Sequence, residues 1–146
     1  MNATDAEIES WISQVMAVSG RKGFPAWLGV ELLEADRETG TVTVRAEVRE
    51  DMTQHHGYVH GGVLGSLADI AMAWCGALVT ADVLTHGYSL QYLAPAEGRW
   101  LLATATMIRE GRRAVAVEAR ISTQNDAEEP TLVATAMGSI WRLDRP

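Results

Sequence analysis

The 146-residue sequence predicts an α+β fold in which an antiparallel sheet wraps around a long central helix, with elements in the order α-β-β-α-β-β-β-β. Two observations carry this prediction. From Gly61 to about Leu84 the chain is almost wholly apolar, rich in Ala, Leu and Met and poor in β-branched residues, so it reads as a helix. That helix lacks a polar face and must be enclosed on most sides. Around it lie segments in which apolar and polar residues alternate, as half-buried strands require. A sheet this small covers only part of the helix, so a second copy of the chain is expected to help enclose it.

Each element has its own signal. Thr4 and Glu7 have capping-box spacing at the start of an N-terminal helix. Ile8, Trp11, Ile12 and Val15 then form one stripe, and Gly20 offers a stop. Phe24-Pro25 begins a connector, so residues 1–25 read as a helix and linker preceding the main body of a single domain spanning 1–146. Segment 28–36 reads as a strand. Segment 41–48 is a clear one, with Val42, Val44, Ala46 and Val48 on one face, and Asp36 to Gly40 supply the turn between the two. Residues 49–60 read as a polar, histidine-rich loop.

Four strands follow the central helix. The first carries Tyr88, Leu90 and Tyr92 on one face and ends at Ala94-Pro95. Leu101, Ala103, Ala105 and Met107 form a face of the second, and Val115, Val117, Ala119 and Ile121 one of the third. Gly111 marks a hairpin between those two. The last strand runs through 131–142.

Composition narrows the function classes. A net charge of −7 argues against general nucleic-acid binding, which wants a basic footprint. The single cysteine, Cys75, precludes an intramolecular disulfide and agrees with a reducing compartment. The N-terminus is acidic and does not read as a signal peptide, so a cytoplasmic location is expected. A membrane span over 61–84 is rejected, because Asp69 within it would cost about 2.5–3.5 kcal/mol and the flanks lack a basic cluster.

The chemistry concentrates between Gln54 and Asp69. Gly61 and Gly62 stand at a loop-to-helix junction, where free N–H groups and the helix dipole can stabilise a carbonyl oxygen gaining charge. The same glycines also suit a plain tight turn. Asp69 is sharper: a carboxylate in an apolar helix is paired, neutral or functional. A salt bridge to a core or interface arginine is the structural alternative. Gly62, Ser66 and Ala73 share the Asp69 face and are small, which leaves a groove beside the carboxylate. With 3.6 residues per turn, His60 and Asp69 lie roughly 180° apart and about 13 Å along the axis. Side chains so placed meet at one substrate only if each site draws them from two subunits.

His60-Gly61-Gly62 with an aspartate nine positions after the histidine, Tyr92-Leu93-Ala94-Pro95, and Gly111-Arg112 before an apolar strand occur together. This combination resembles the PaaI-type (phenylacetate-degradation-type) hotdog acyl-CoA thioesterases over roughly residues 26–142. The resemblance implies the hotdog fold and gives Asp69 the role of activating water or attacking the thioester. It implies that the Gly61 N–H polarises the carbonyl with His60 nearby, and that Gln54 helps to hold the thioester or the water. Thr85 matches a position where some members use a serine hydroxyl. Relatives acting on 4-hydroxybenzoyl-CoA carry Glu where Asp69 stands. No cofactor is expected, coenzyme A being part of the substrate. Dimers, or dimers of dimers, are the expected assembly.

Arg109-Glu110-Gly111-Arg112-Arg113 is the densest basic cluster, suited to the phosphates of coenzyme A or equally to a solvated hairpin tip. By resemblance, Arg109, Gly111, Arg112 and Tyr92 lie near the coenzyme, with Arg113 and Gly62 as further contacts. No metal site is expected, since Gly57 breaks the His56–His60 spacing. Cys75 reads as an inert buried thiol, and the five tryptophans as core or interface packing. A hotdog hydratase or dehydratase, or a non-catalytic acyl-CoA-binding module, are the alternative functions.

Overall fold

The alternation read from the sequence becomes a sheet with one buried face. Val42, Val44 and Ala46 are buried, as are Leu101, Ala103 and Ala105, and Val115, Val117, Ala119 and Ile121. A computed structural model describes residues 4–18 and 23–143, with the side chains of 15–18 left aside. Its elements are α1 (Asp5–Val18), α2 (Gly23–Leu28), β1 (Glu31–Asp36), β2 (Thr41–Glu47), a 3-10 turn at Glu50–Met52, α3 (Gly61–Thr80), β3 (Val83–Tyr92), β4 (Trp100–Glu110), β5 (Ala114–Gln124) and β6 (Thr131–Arg142). All strand pairs are antiparallel in the order β1-β2-β4-β5-β6-β3. The sheet curves around α3, which packs on every strand.

The capping box forms at α1. Glu7 N–H donates to Thr4 Oγ1 at 3.2 Å, and Thr4 N–H donates back to Glu7 Oε2 at 2.7 Å. The Thr4 N–H, and next the Thr4 hydroxyl donating to Oε2 at 2.9 Å, hold the exposed Glu7 carboxyl below its usual pKa. Ile8 is fully buried, and Trp11 and Ile12 pack on the core beside it. The Val15 side chain and the stop expected at Gly20 lie outside the described residues.

Three boundaries depart from the sequence reading. The connector at Phe24-Pro25 folds into α2, closed where Val30 N–H reaches Pro25 O at 2.9 Å. That short helix displaces the start of β1 from 28 to Glu31. The central helix ends at Thr80 rather than near Leu84, turning at Ala81 with φ of 64°. Val83 and Leu84 join β3, pairing with Arg142 and Trp141, because strand pairing satisfies their backbone groups as well as another helical turn would. Among the described residues, no helix is long and apolar enough to cross a membrane.

Candidate active site

The loop before α3 is built by its own backbone. Gln54 N–H donates to Tyr58 O and Gly57 N–H to Gln54 O, both at 2.8 Å, with Gly57 at φ of 87°, where glycine is favoured. His60 N–H then bonds Met52 O at 2.8 Å, and Val59 N–H bonds Ala96 O at 2.9 Å. The helix start is thereby pinned between the loop and the segment that leaves β3.

His60 is the N-cap of α3. Its Nδ1 accepts the Gly62 N–H at 2.9 Å, so the Nδ1 lone pair is engaged and, in the neutral ring, the proton sits on Nε2. Its backbone oxygen takes the Val63 and Leu64 N–H groups at 2.9 and 3.4 Å. Gly61 N–H is therefore the first-turn donor with no acceptor among the described residues. A Cβ on Gly61 would lie 2.7 Å from Tyr92 Oη, so glycine here admits the Tyr92 phenol against the helix start. Gln54, Tyr58, Gly61, Leu64, Tyr92 and Pro95 line a cleft of about 550 Å³ at this point. The Gln54 side-chain oxygen accepts the His56 N–H, which orients the amide within its own loop.

Asp69 stands two turns further along α3, about 12 Å from Gly61. The α3 residues left partly open by the sheet include Gly62, Ser66, Asp69 and Ala73, the stripe expected from their spacing. Asp69 Oδ1 is sealed from solvent and has no hydrogen-bond partner among the described residues. None of the ion pairs seen among the described residues involves Asp69, so among those residues no arginine neutralises it. His60 and Asp69 project from opposite sides of the helix, as the nine-residue spacing requires.

The arginine hairpin lies elsewhere. Arg109, Arg112 and Arg113 are exposed at the β4–β5 turn, where Gly111 N–H closes on Ala114 O at 2.9 Å. Arg142, which the sequence reading overlooked, anchors that turn. Its side chain is only 9% exposed, donates to Gly111 O at 3.2 Å and pairs with Glu110 at 2.5 Å. Arg142 is also the register partner of Val83, the first residue of β3, whereas Tyr92 is the last. Nine strand steps separate those ends, about 30 Å. Within one chain, then, the hairpin arginines and the Gly61–Tyr92 cleft occupy opposite ends of the sheet. Thr85 shares a register position with Ile140, whose side chain meets Gly76, and no hydrogen bond joins Thr85 to Asp69.

The remaining candidates are structural. Cys75 is buried and its thiol is pushed up to about 12 by that burial. Among the described residues no group of three His, Cys, Asp or Glu could hold a metal ion. Trp74 packs on the core, but Trp27 and Trp141 are exposed, stacked on Phe24 and His86 respectively.

Comparison with known proteins decides the family. The thioesterase superfamily model matches residues 56–129, a span holding His60, Gly61, Asp69, Tyr92 and the arginine hairpin. The chain belongs to the thioesterase superfamily. A relative in Deinococcus radiodurans named "Putative esterase" is 30% identical over 118 residues, 81% of this chain and 77% of that protein. The PaaI protein of the Escherichia coli phenylacetic acid degradation operon has the same fold, with a TM-score of 0.78, 23% identity and 97% coverage of each chain. A mutant of the phenylacetic acid degradation protein PaaI from Thermus thermophilus gives a TM-score of 0.70 at 28% identity, over 81% of this chain and 96% of that one. The hotdog architecture and the PaaI resemblance are thus borne out, and this superfamily member is a thioester hydrolase.

Proposed function

We propose that this thioesterase hydrolyses an acyl- or aryl-CoA thioester to the free acid and CoA, with Asp69 as general base or nucleophile. The observation that carries this reading is the Asp69 carboxylate oxygen, shielded and without a partner among the described residues, on a stripe of α3 that the sheet leaves partly open. Such a group costs stability wherever it serves no pairing role, which favours a chemical one. The free Gly61 N–H, at the positive end of α3, is suited to the oxyanion that forms at the thioester carbonyl.

The site is shared between two copies of the chain. Strand β3 is an edge of the sheet, ten residues long and largely exposed, so its outer backbone groups are open to pairing. Antiparallel pairing of two β3 edges about a twofold axis sets the two α3 helices antiparallel. Gly61 of one copy then approaches Asp69 of the other, and the arginine hairpin of the other comes to the same end. This arrangement relieves both separations found in the single chain. The hairpin arginines serve the phosphates of coenzyme A there.

Release of free thiol from a panel of acyl-CoAs tests the activity. Asp69→Asn is expected to lower turnover by at least ~10²-fold. A folded Asp69→Asn protein with near-normal turnover would overturn the role of Asp69, and double-bond hydration without thiol release would overturn the reaction class.

A further inference from the structure

A water activated by one carboxylate needs a second group to fix its orientation. Resemblance matches Thr85 to a position where some members use a serine hydroxyl, but Thr85 lies level with Ile140 and Gly76, and Gly76 is seven residues, about 10 Å, beyond Asp69 along α3. Another hydroxyl is better placed. Tyr88 stands on the same face of β3 as Leu90 and Tyr92, and its Oη donates to the Gly65 carbonyl at 3.3 Å. Gly65 is four residues before Asp69, so its carbonyl is the one that the Asp69 N–H reaches in an α-helix. The phenol is therefore tied to the peptide that anchors Asp69. The fit is close: a Cβ on Gly65 would come within 3.3 Å of Tyr88 Oη and 3.5 Å of Leu90 Cδ2.

We propose that Tyr88, rather than Thr85, supplies the hydroxyl oxygen that holds the attacking water against Asp69. The proposal rests on the reading of Asp69 as general base. Partial burial, and next the negative charge of Asp69, push the Tyr88 phenol above its ordinary pKa, so it keeps its proton. With that proton directed at Gly65 O, a lone pair on Oη is left to accept from water. The water gives one O–H to Tyr88 Oη and the other to Asp69. As its oxygen bonds the thioester carbon, Asp69 takes the second proton and the carbonyl π pair moves onto oxygen. When that pair returns and the C–S bond breaks, the sulfur keeps the bonding electrons and takes the proton from Asp69. The products are the free acid and the thiol.

The test compares hydroxyl deletions in the intact enzyme. Tyr88→Phe keeps the ring and is expected to lower kcat about tenfold, the value of one hydrogen bond, with KM and Tm nearly unchanged. Thr85→Val should keep near-normal kcat. Gly65→Ala, which favours the helix but crowds Oη, should lower kcat severalfold without lowering Tm. Full kcat in folded Tyr88→Phe, or a larger loss in Thr85→Val, overturns the proposal. Asp69→Asn run alongside separates the failures. If it is inactive while Tyr88→Phe is fully active, Tyr88 alone is wrong; if it is active, the reading of Asp69 falls first.

Discussion

Replacing Asp69 by alanine should move stability and activity in opposite directions. Asp69 Oδ1 is shielded and has no hydrogen-bond partner among the described residues. A buried polar atom left unsatisfied costs about 1–3 kcal/mol, which the substitution recovers. Alanine in place of aspartate within a helix adds up to about 0.7 kcal/mol. The removed carboxylate leaves little void, because Asp69 lies on the open stripe with Gly62, Ser66 and Ala73. The expected net gain is about 1–3 kcal/mol, and for a domain of this size each kcal/mol raises Tm by about 2–4 °C. Calorimetry and denaturant titration at one fixed protein concentration measure this, while thiol release from acyl-CoA should fall at least ~10²-fold. The reasoning is refuted if Asp69→Ala loses about 3–5 kcal/mol, the cost of breaking a buried ion pair. Asp69 would then be an interface salt-bridge residue.

Two further expectations concern the proposed sharing of the site. Inactive His60→Ala and Asp69→Asn proteins, refolded together, should regain activity in proportion to the heterodimer fraction, since each heterodimer holds one intact site; verified heterodimers without activity would refute sharing. Replacing Arg109 and Arg112 with alanine should raise KM for acyl-CoA more than it lowers kcat, and should matter much less for an acyl-pantetheine thioester lacking the nucleotide. Equal losses on both substrates would separate these arginines from the nucleotide.

What the sequence made legible was whatever depends on local periodicity. The buried faces of β2, β4 and β5, the capping box of Thr4 and Glu7, and the small-residue stripe around Asp69 all follow from spacing along one element. The end of α3 was hidden because Val83 and Leu84 continue its apolar run, and only their pairing with β6 assigns them to a strand. Helix α2 is too short to display a period. Arg142 and Tyr88 act across elements, through Gly111 and Gly65 respectively. Tyr88 did leave a trace: tyrosines four apart on one strand face, Tyr88 and Tyr92, meet glycines four apart on the helix, Gly65 and Gly61. Recognising that match requires knowing that β3 lies along α3. The opposite placement of the arginine hairpin and the cleft likewise emerges only once the register is known.

The open stripe on α3 has an evolutionary consequence. Most of the helix is committed to packing, with Leu64, Leu67, Ala68, Ala71, Met72 and Cys75 buried, and a change in volume at any of them disturbs the sheet around it. Ser66 and Ala73 carry no such obligation, yet they flank Asp69. Mutational drift can therefore reshape the space beside the carboxylate while the interior stays intact. One scaffold can then vary the surroundings of its carboxylate by single steps at two positions, each of them nearly neutral for folding.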